Sequence, residues 1–232
     1  MVVQLIKFLV ITYAVTKIVG LHVRLNSAKF SLDKGQWVKL ICGASNTDVP
    51  LIRNLCYIYT IAGVDCIDLS TDSGVLTSAR EGIESAMLNN RNTDMKKPLM
   101  MISVNDYEDP HFRKAVFDVT KCPATCPRPC ESVCPAFAIP SLKKNEDAEA
   151  QKKISDPNAG VIAERCYGCG RCLTVCPLGL INAEAYQVQH TDIQNILTNG
   201  VADAVEIHTL DGHLLDFDNL WKGIGTEVAL FI

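Results

Sequence analysis

The chain has 232 residues, of which 48% are hydrophobic and 21% are charged, and its net charge is −4 at pH 7. This is an ordinary globular balance, so a hydrophobic core can form. No basic stretch could neutralise a run of phosphates, and the sequence therefore argues against nucleic acid as a partner.

The first 25 residues are strongly apolar, but Lys7, Lys17 and Arg24 interrupt them. The uncharged run from Phe8 to Thr16 is too short to span a bilayer. Neither the charge pattern of a signal peptide nor the composition of a transit peptide is clear. Residues 1–30 are predicted to be a buried strand or helix or an atypical start of the chain, with an anchor or targeting segment as the alternative. Apart from that alternative, no membrane partner is expected.

Short apolar runs then alternate with longer helical stretches. Strands are predicted at 37–42, 64–69 and 98–104, and helices at 51–62 and 73–88. After Asn182 the alternation resumes, with helices at 192–198 and 216–222 and a strand at 204–208. Strands separated by helices of this length indicate βαβ units and a parallel sheet. We favour an α/β fold with a partial (β/α) barrel-like domain over a doubly wound sheet.

This pattern breaks between Asp109 and Asn182, where no long helix or strand is predicted. Within this region, residues 141–156 are highly charged and lack an apolar face, as in a solvated loop or short helix. The region therefore looks inserted into the α/β domain. The predicted organisation is an N-terminal segment (1–30), a first α/β part (31–108), the insertion (109–182) and a second α/β part (183–232).

Cysteine is the unusual residue, because eight of the 11 cysteines lie between Cys122 and Cys176. The motif Cys166-x2-Cys169-x2-Cys172-x3-Cys176-Pro177 has the spacing of bacterial ferredoxins, in which three thiolates ligate one [4Fe–4S] cluster and the fourth ligates the other. Gly168 and Gly170 would let the backbone approach the cluster and adopt positive φ.

An earlier motif, Cys122-x3-Cys126-x3-Cys130-x3-Cys134-Pro135, keeps the last gap and the Cys-Pro ending but widens the first two gaps. We therefore predict two [4Fe–4S] clusters on an inserted, bacterial-ferredoxin-like segment. The crossed ligation rule predicts one ligand set of Cys122, Cys126, Cys130 and Cys176, and another of Cys166, Cys169, Cys172 and Cys134.

Three alternatives to two clusters stay open at this stage. Eight thiolates could form two zinc sites, but such sites seldom need a third cysteine at x2 followed by x3 and Cys-Pro. Structural disulfides are disfavoured because cysteines this close in sequence make poor cross-links. The wide spacing of the first motif leaves the possibility that only the second cluster is complete.

Other residues receive simpler interpretations. The cysteines outside the motifs are predicted to be small buried hydrophobic residues rather than redox-active thiols: Cys42, Cys56 and Cys66. The three histidines His111, His208 and His213 lack carboxylate or metal-spaced partners in the sequence and are interpreted as ordinary polar residues. Tyr167 is predicted to pack over a cluster, with a simple loop aromatic as the alternative. Gly223-Ile224-Gly225 lacks the third glycine of a dinucleotide fingerprint.

Several stretches resemble the light-dependent-period (LdpA) family of cyanobacteria, which has plastid relatives. They are Gly35–Ser45 (GQWVKLICGAS), Ala62–Asp68 (AGVDCID), Asp109–Ala115 (DPHFRKA) and Cys166–Pro177, within a resemblance covering about residues 32–208. The resemblance implies two iron–sulfur clusters, including the one at the wider first motif. It also implies a role in passing the cellular redox state to the circadian clock.

The leading hypothesis is a redox sensor or electron carrier with a regulatory role, whose partner is a soluble redox donor or a regulatory protein. The alternative is an oxidoreductase in which the clusters feed electrons to a flavin or substrate in the α/β domain, and a third possibility is a purely structural use of the clusters. Because the sequence offers no dinucleotide fingerprint and no paired acid and base residues, it favours the redox-sensing or electron-transfer protein over an enzyme. The resemblance implies a reducing compartment, either the chloroplast or the bacterial cytoplasm.

Overall fold

The computed structural model describes residues 27–90, 95–141 and 160–224. The predictions for residues 1–25, for most of the charged stretch 141–156 and for Gly225 lie outside these ranges. The described strands are β1 (Lys39–Ile41), β2 (Cys66–Ser70), β3 (Leu99–Asn105), β4 (Arg113–Val116), β5 (Asn182–Ala185) and β6 (Ala204–His208). The main helices are α1 (Val49–Ala62), α2 (Ser73–Asn89), α3 (Pro129–Val133), α4 (Arg171–Val175), α5 (His190–Thr198) and α6 (Leu214–Ile224). Residues 27–33 are also helical, and Val119–Lys121 forms a 3-10 helix.

Four strands form a parallel sheet in the order β1–β2–β3–β6. This confirms the predicted α/β fold, and each predicted strand and helix outside the cysteine region is present. The strand at 204–208 has the predicted ends, and the other elements differ at one or both ends. Within the described residues the sheet is open, with β1 and β6 at its edges. Closure into a barrel therefore stays a prediction.

Local sequence signals position the first two helices. The Asp48 side chain accepts a hydrogen bond from the Leu51 amide at the start of α1, and Gly63 ends that helix with φ +79°. Where α2 crosses α1, a Cβ on Gly82 would lie 2.3 Å from the Arg53 carbonyl oxygen. Only glycine allows this close approach of the two helices.

One face of the sheet packs against α1, α2, α5 and α6. The core includes fully buried Ile67 and Leu69 of β2, Ile102 of β3 and Ile193 of α5. Burying each such side chain stabilises the fold by roughly 1.5–3 kcal/mol. Because strand residues alternate between faces, the intervening side chains point to the opposite side of the sheet.

That opposite face carries a polar network. Ser103 of β3 donates a hydrogen bond to Asp68 Oδ1 of β2 at 2.6 Å, and Lys39 of β1 forms ion pairs with Asp68 and with Glu206 of β6. Asp68 is only 1% exposed. Burial, together with the neighbouring Glu206, raises the pKa of Asp68 to about 6.

The cysteine region lies between β3 and α5 in the chain and is attached to the carboxyl end of the parallel sheet. β4 pairs antiparallel with β5, and these two short strands were not predicted from the sequence. The Asn105 side-chain amide, at the end of β3, donates to the Tyr186 carbonyl at 2.9 Å just beyond β5. The region also has its own hydrophobic cluster, which includes Phe117 and Ile139.

Among the helices that the structure describes, none is both long and apolar enough to cross a membrane.

The buried Asp68 predicts a specific dependence of stability on pH. A carboxyl whose pKa is raised on folding stabilises the fold below its unfolded pKa of about 4, and this contribution is lost as the pH rises through 6. Asp68→Asn keeps a neutral acceptor for Ser103. We therefore expect it to remove a stability loss of about 1.4 kcal/mol between pH 5 and pH 7.5.

Thermal and urea unfolding of the anaerobically purified protein at both pH values would measure this effect. Asp33→Asn, at an exposed position, is the matched control and should retain the pH profile of the unsubstituted protein. An unchanged profile in Asp68→Asn would contradict the assignment.

Candidate metal centre

The two cysteine motifs fold into a structural repeat that is offset by 42 residues. Each motif contributes a five-residue helix, α3 or α4, whose second residue is a buried cysteine, Cys130 or Cys172. The residue before each helix has a left-handed conformation: Arg128 has φ +49° and Gly170 has φ +74°. The first motif therefore retains the geometry of the second despite its wider cysteine spacing.

The repeat continues through the Cys-Pro pairs. Cys134 follows α3 and Cys176 follows α4, each in an extended conformation. The Ala138 amide donates to Cys134 Sγ at 3.2 Å, and the Leu180 amide donates to Cys176 Sγ at 3.4 Å. Sulfur atoms that accept backbone hydrogen bonds in this way are prepared to carry negative charge.

Cys134 belongs to the first motif in sequence, but it lines a cavity together with cysteines of the second motif. The thiol-bearing lining residues are Cys134, Cys166, Cys169 and Cys172. The rest of the lining is largely apolar and includes Ile139 and Val161. Burial, reinforced by the neighbouring Cys166, raises the pKa of the Cys172 thiol to about 11.

Crowded thiols in an apolar cavity are a poor site for free thiolates but suit a metal cluster. A coordinated metal replaces the thiol protons, and its positive charge offsets the repulsion between the thiolates. Cysteine sulfur is also the donor that iron–sulfur clusters use. The donor set of this cavity therefore fits an iron–sulfur cluster.

The other three cysteines of the first motif gather around Arg128. The Arg128 amide donates to Cys126 Sγ at 3.5 Å, and its guanidinium lies 3.8 Å from Cys122 Sγ. Arg128 is 9% exposed and also donates to the Pro140 carbonyl at 3.1 Å and to Glu131. Burial raises the pKa of the Cys122 thiol, whereas the Arg128 guanidinium opposes this shift.

Cys176 does not line the cavity of the second motif. Burial opposes its ionisation, but backbone amides of residues 178–181, led by Leu180, lower the pKa of the Cys176 thiol overall. A thiolate at this position is therefore stabilised before any metal binds.

β4 holds the loop of the second motif in place. The Ala115 amide donates to Cys166 Sγ at 3.4 Å. Gly168 has φ +72°, and a Cβ there would lie 2.1 Å from the Arg113 carbonyl oxygen. Gly168 and Gly170 both adopt the positive φ predicted for them, but only Gly168 is also required by a close backbone contact.

The remaining cysteines are all buried and outside this region, as predicted. Burial raises the pKa of the Cys66 thiol to about 12. The pKa of the Cys56 thiol is raised chiefly by its hydrogen bond with Cys42 and also by burial. The Cys56 and Cys66 thiols are therefore protonated and unreactive at neutral pH. Tyr167, which follows Cys166 in the sequence, lines the cavity of the second motif.

Two features of the region were missed from the sequence. Arg128 gave no signal, because a lone arginine between prolines is ordinary. The interpretation of His111 and His208 as lacking a carboxylate partner was wrong, since Asp109 lies within 3.6 Å of both rings. His213 likewise lies 3.5 Å from Asp216.

The close contact at Gly168 predicts that Gly168→Ala displaces the loop bearing Cys166 and Cys169. We expect its iron content after anaerobic purification to fall to half of the unsubstituted value or less, because the added methyl group cannot share space with the Arg113 carbonyl. Gly170→Ala is the matched control: φ is similar, nothing lies within 4 Å of the added Cβ, and it carries only the left-handed backbone cost of about 1–2 kcal/mol. Full iron content in Gly168→Ala would contradict this account of the loop.

Comparison with known proteins identifies the region that carries these cysteines. Residues 122–187 match the LdpA Fe-S cluster-binding domain. The chain is also 45% identical over 199 residues to a Synechococcus elongatus protein named "Light dependent period A". That alignment covers 84% of this chain and 51% of the relative, so the chain spans about half the length of the relative that it matches.

No solved structure matches the chain. The matched domain begins at Cys122 and includes all eight clustered cysteines together with β5, which closes the region against β4. The chain belongs to the LdpA family and carries the iron–sulfur cluster-binding domain of that family.

Proposed function

We propose that this protein binds two [4Fe–4S] clusters with crossed ligands and acts as a redox sensor or electron carrier in a regulatory pathway. The observation that supports the proposal is the position of Cys134, which lines one cavity together with three cysteines of the second motif. One cluster is assigned to Cys134, Cys166, Cys169 and Cys172, and the other to Cys122, Cys126, Cys130 and Cys176. Crossed ligation of this kind is the arrangement of two-cluster bacterial ferredoxins.

The surroundings of the two sites suit electron transfer. A bound cluster supplies a one-electron change in charge, and the protein supplies the amides, apolar side chains and charges that set its potential. Cys130 and Cys172 are buried, which shields each site on one side. Cys169 is exposed, so the second site has an edge through which a soluble donor could exchange electrons.

A regulatory role is supported by the relative, whose name refers to a light-dependent period. We propose by this likeness that the chain passes the redox state of its clusters to a protein partner that influences a circadian rhythm. Thiolate-held clusters require a reducing compartment. The chloroplast and the bacterial cytoplasm both meet this requirement.

One groove favours the oxidoreductase as a second candidate. It lies between the carboxyl ends of β1 and β2 and the cysteine region, where α/β sheets commonly bind ligands, and Tyr167 forms part of its wall. However, Asp48 and Asp72 cap α1 and α2 within this groove. These carboxylates occupy the helix N-termini that would otherwise attract the phosphate of a flavin nucleotide. Flavin bound to the purified protein would favour the enzyme instead.

Iron and sulfide analysis of anaerobically purified variants tests the number and the ligation of the clusters. Two cubanes predict about eight iron atoms per chain in the unsubstituted protein. If the ligands cross, Cys122→Ala/Cys176→Ala removes two ligands of one cluster and should leave about four iron atoms. Cys166→Ala/Cys176→Ala removes one ligand of each cluster and should leave little iron.

The uncrossed arrangement predicts the reverse order of iron contents for these two double variants. Cys66→Ala is the control, because it removes a thiol outside the two motifs, and it should keep about eight iron atoms. About four iron atoms in the unsubstituted protein would contradict the two-cluster proposal.

Arg128 predicts a difference between the two clusters. Arg128→Gln removes a buried positive charge beside Cys122 and keeps a non-glycine residue at this left-handed position. We expect the reduction potential of one cluster to fall by roughly 60 mV, which corresponds to about 1.4 kcal/mol for a one-electron step. Anaerobic redox titration followed by electron paramagnetic resonance would measure both potentials.

Lys121→Gln is the matched control, since the Lys121 side chain is also next to Cys122 in sequence but is 70% exposed and screened by water. Arg128→Lys should restore most of the potential. Equal potentials in Arg128→Gln and in the unsubstituted protein would show that this charge does not act on a cluster.

A further inference from the structure

Two histidines and an aspartate meet at the carboxyl end of the parallel sheet, outside the cysteine region's metal centre. His208 is the last residue of β6, and Asp109 and His111 lie in the loop between β3 and β4. One potential ligand atom from each of the three residues lies within 4.8 Å of the others. Asp109 is central, because its Oδ1 lies 3.1 Å from His111 Nδ1 and its Oδ2 lies 3.6 Å from His208 Nδ1.

The carboxylate of Asp109 is in an unusual environment for a negative charge. Its side chain is 10% exposed, and within the described residues it forms no ion pair with lysine or arginine. The hydrogen bond from the His111 amide at 2.7 Å holds it in place. Among the described residues, this buried carboxylate therefore faces two imidazoles but no partner that carries a permanent positive charge.

The packing holds part of this cluster rigid and leaves part of it accessible. The fully buried Phe112 ring packs edge-on against the His208 ring, with a centroid distance of 5.1 Å. The His208 side chain is 21% exposed, whereas that of His111 is 69% exposed. The His111 ring can therefore rotate towards a ligand that the other two residues already face.

A fourth residue, Asn105, projects from the same face of the sheet as His208. Asn105 is the register partner of His208 in the parallel sheet, so both side chains project from the same face. Asn105 is 3% exposed, and its side-chain oxygen has no hydrogen-bond partner among the described residues. A buried acceptor without a partner calls for a positively charged or hydrogen-donating ligand.

We propose that Asp109, His111 and His208 bind a divalent transition-metal ion of the zinc or ferrous class. Imidazole nitrogen and carboxylate oxygen are the donors that these ions take, and a site with three protein ligands keeps a coordination position open to water. A tetrahedral ion with bonds of about 2.0–2.1 Å separates its ligand atoms by roughly 3.3 Å. Both Asp109–histidine separations are already close to this value, so only the widest ligand–ligand distance, within 4.8 Å, would have to shorten on binding, chiefly through the exposed His111 ring.

The test is equilibrium dialysis of the cluster-loaded protein against micromolar Zn²⁺ under anaerobic conditions, with zinc and iron measured together. We expect one zinc ion per chain without loss of iron, and at least tenfold weaker binding in His111→Ala and in Asp109→Asn. His111→Ala truncates an exposed side chain and should leave the fold intact. His213→Ala is the matched control, because His213 also faces one carboxylate, Asp216, but has no second histidine partner in this site, and it should bind zinc as the unsubstituted protein does.

Zinc X-ray absorption identifies the ligands and gives a readout that is independent of affinity. Nitrogen and oxygen ligands at about 2.0–2.1 Å support the site, whereas sulfur at about 2.3 Å would mean that zinc had entered the cysteine region instead. The proposal is overturned by sulfur ligation, by unchanged zinc binding in His111→Ala, or by the absence of zinc binding when the iron content is intact.

Discussion

Backbone pairing between β4 and β5 brings the two ends of the cysteine region together at the carboxyl end of the parallel sheet. The loop of the second motif lies against β4, where the Ala115 amide donates to Cys166 Sγ. In the same loop, Gly168 approaches the Arg113 carbonyl oxygen so closely that no side chain fits there. The pairing of two four-residue strands, together with helices α3 and α4 and the hydrophobic cluster around Phe117, therefore positions the thiols.

The two motifs have the same backbone plan but different electrostatics. Both present a buried cysteine at the second position of a short helix and a second cysteine that accepts a backbone amide. At the position before the helix, the second motif has Gly170 and the first has Arg128. The buried Arg128 guanidinium thus accompanies the first set of thiols, whereas the basic side chains that line the second site are half-buried (Arg113 and Lys114) or exposed (Arg171). This difference in the burial of charge gives the two sites different environments within one repeated fold.

The parallel sheet does more than support the cysteine region. Its helix-covered face is a conventional apolar core, whereas its other face buries a network of Lys39, Asp68, Ser103 and Glu206. Its carboxyl end carries the groove beside Tyr167 and the cluster around Asp109. This end of an α/β sheet collects functional side chains because the loops that follow the strands converge there. In this chain the cysteine region occupies one of those loops.

Much of the fold was predictable because periodicity is a local property. Apolar runs and helical spacing were sufficient to predict the parallel α/β sheet, although the ends of its elements shifted. β4 and β5 were not predictable, since each has only four residues and is stable through its pairing with a partner about 70 residues away. The repeat of α3 and α4 was concealed by the wider spacing of the first motif, whose extra residues are accommodated in its loops.

The sequence by itself indicated an iron–sulfur protein, because thiol spacing and Cys-Pro endings predict which residues would ligate iron. The tertiary structure brings Cys134 to the cavity of the second motif, as the crossed ligation rule predicts. Only the tertiary structure decided which charges act on the thiols, by burying Arg128 next to Cys122. It also brought Asp109 between His111 and His208, which are 97 residues apart in the sequence. The physical reason is the same in each case: ligation and electrostatics depend on distances of a few ångströms, and those distances are set by strand pairing and packing between segments that are remote in the chain.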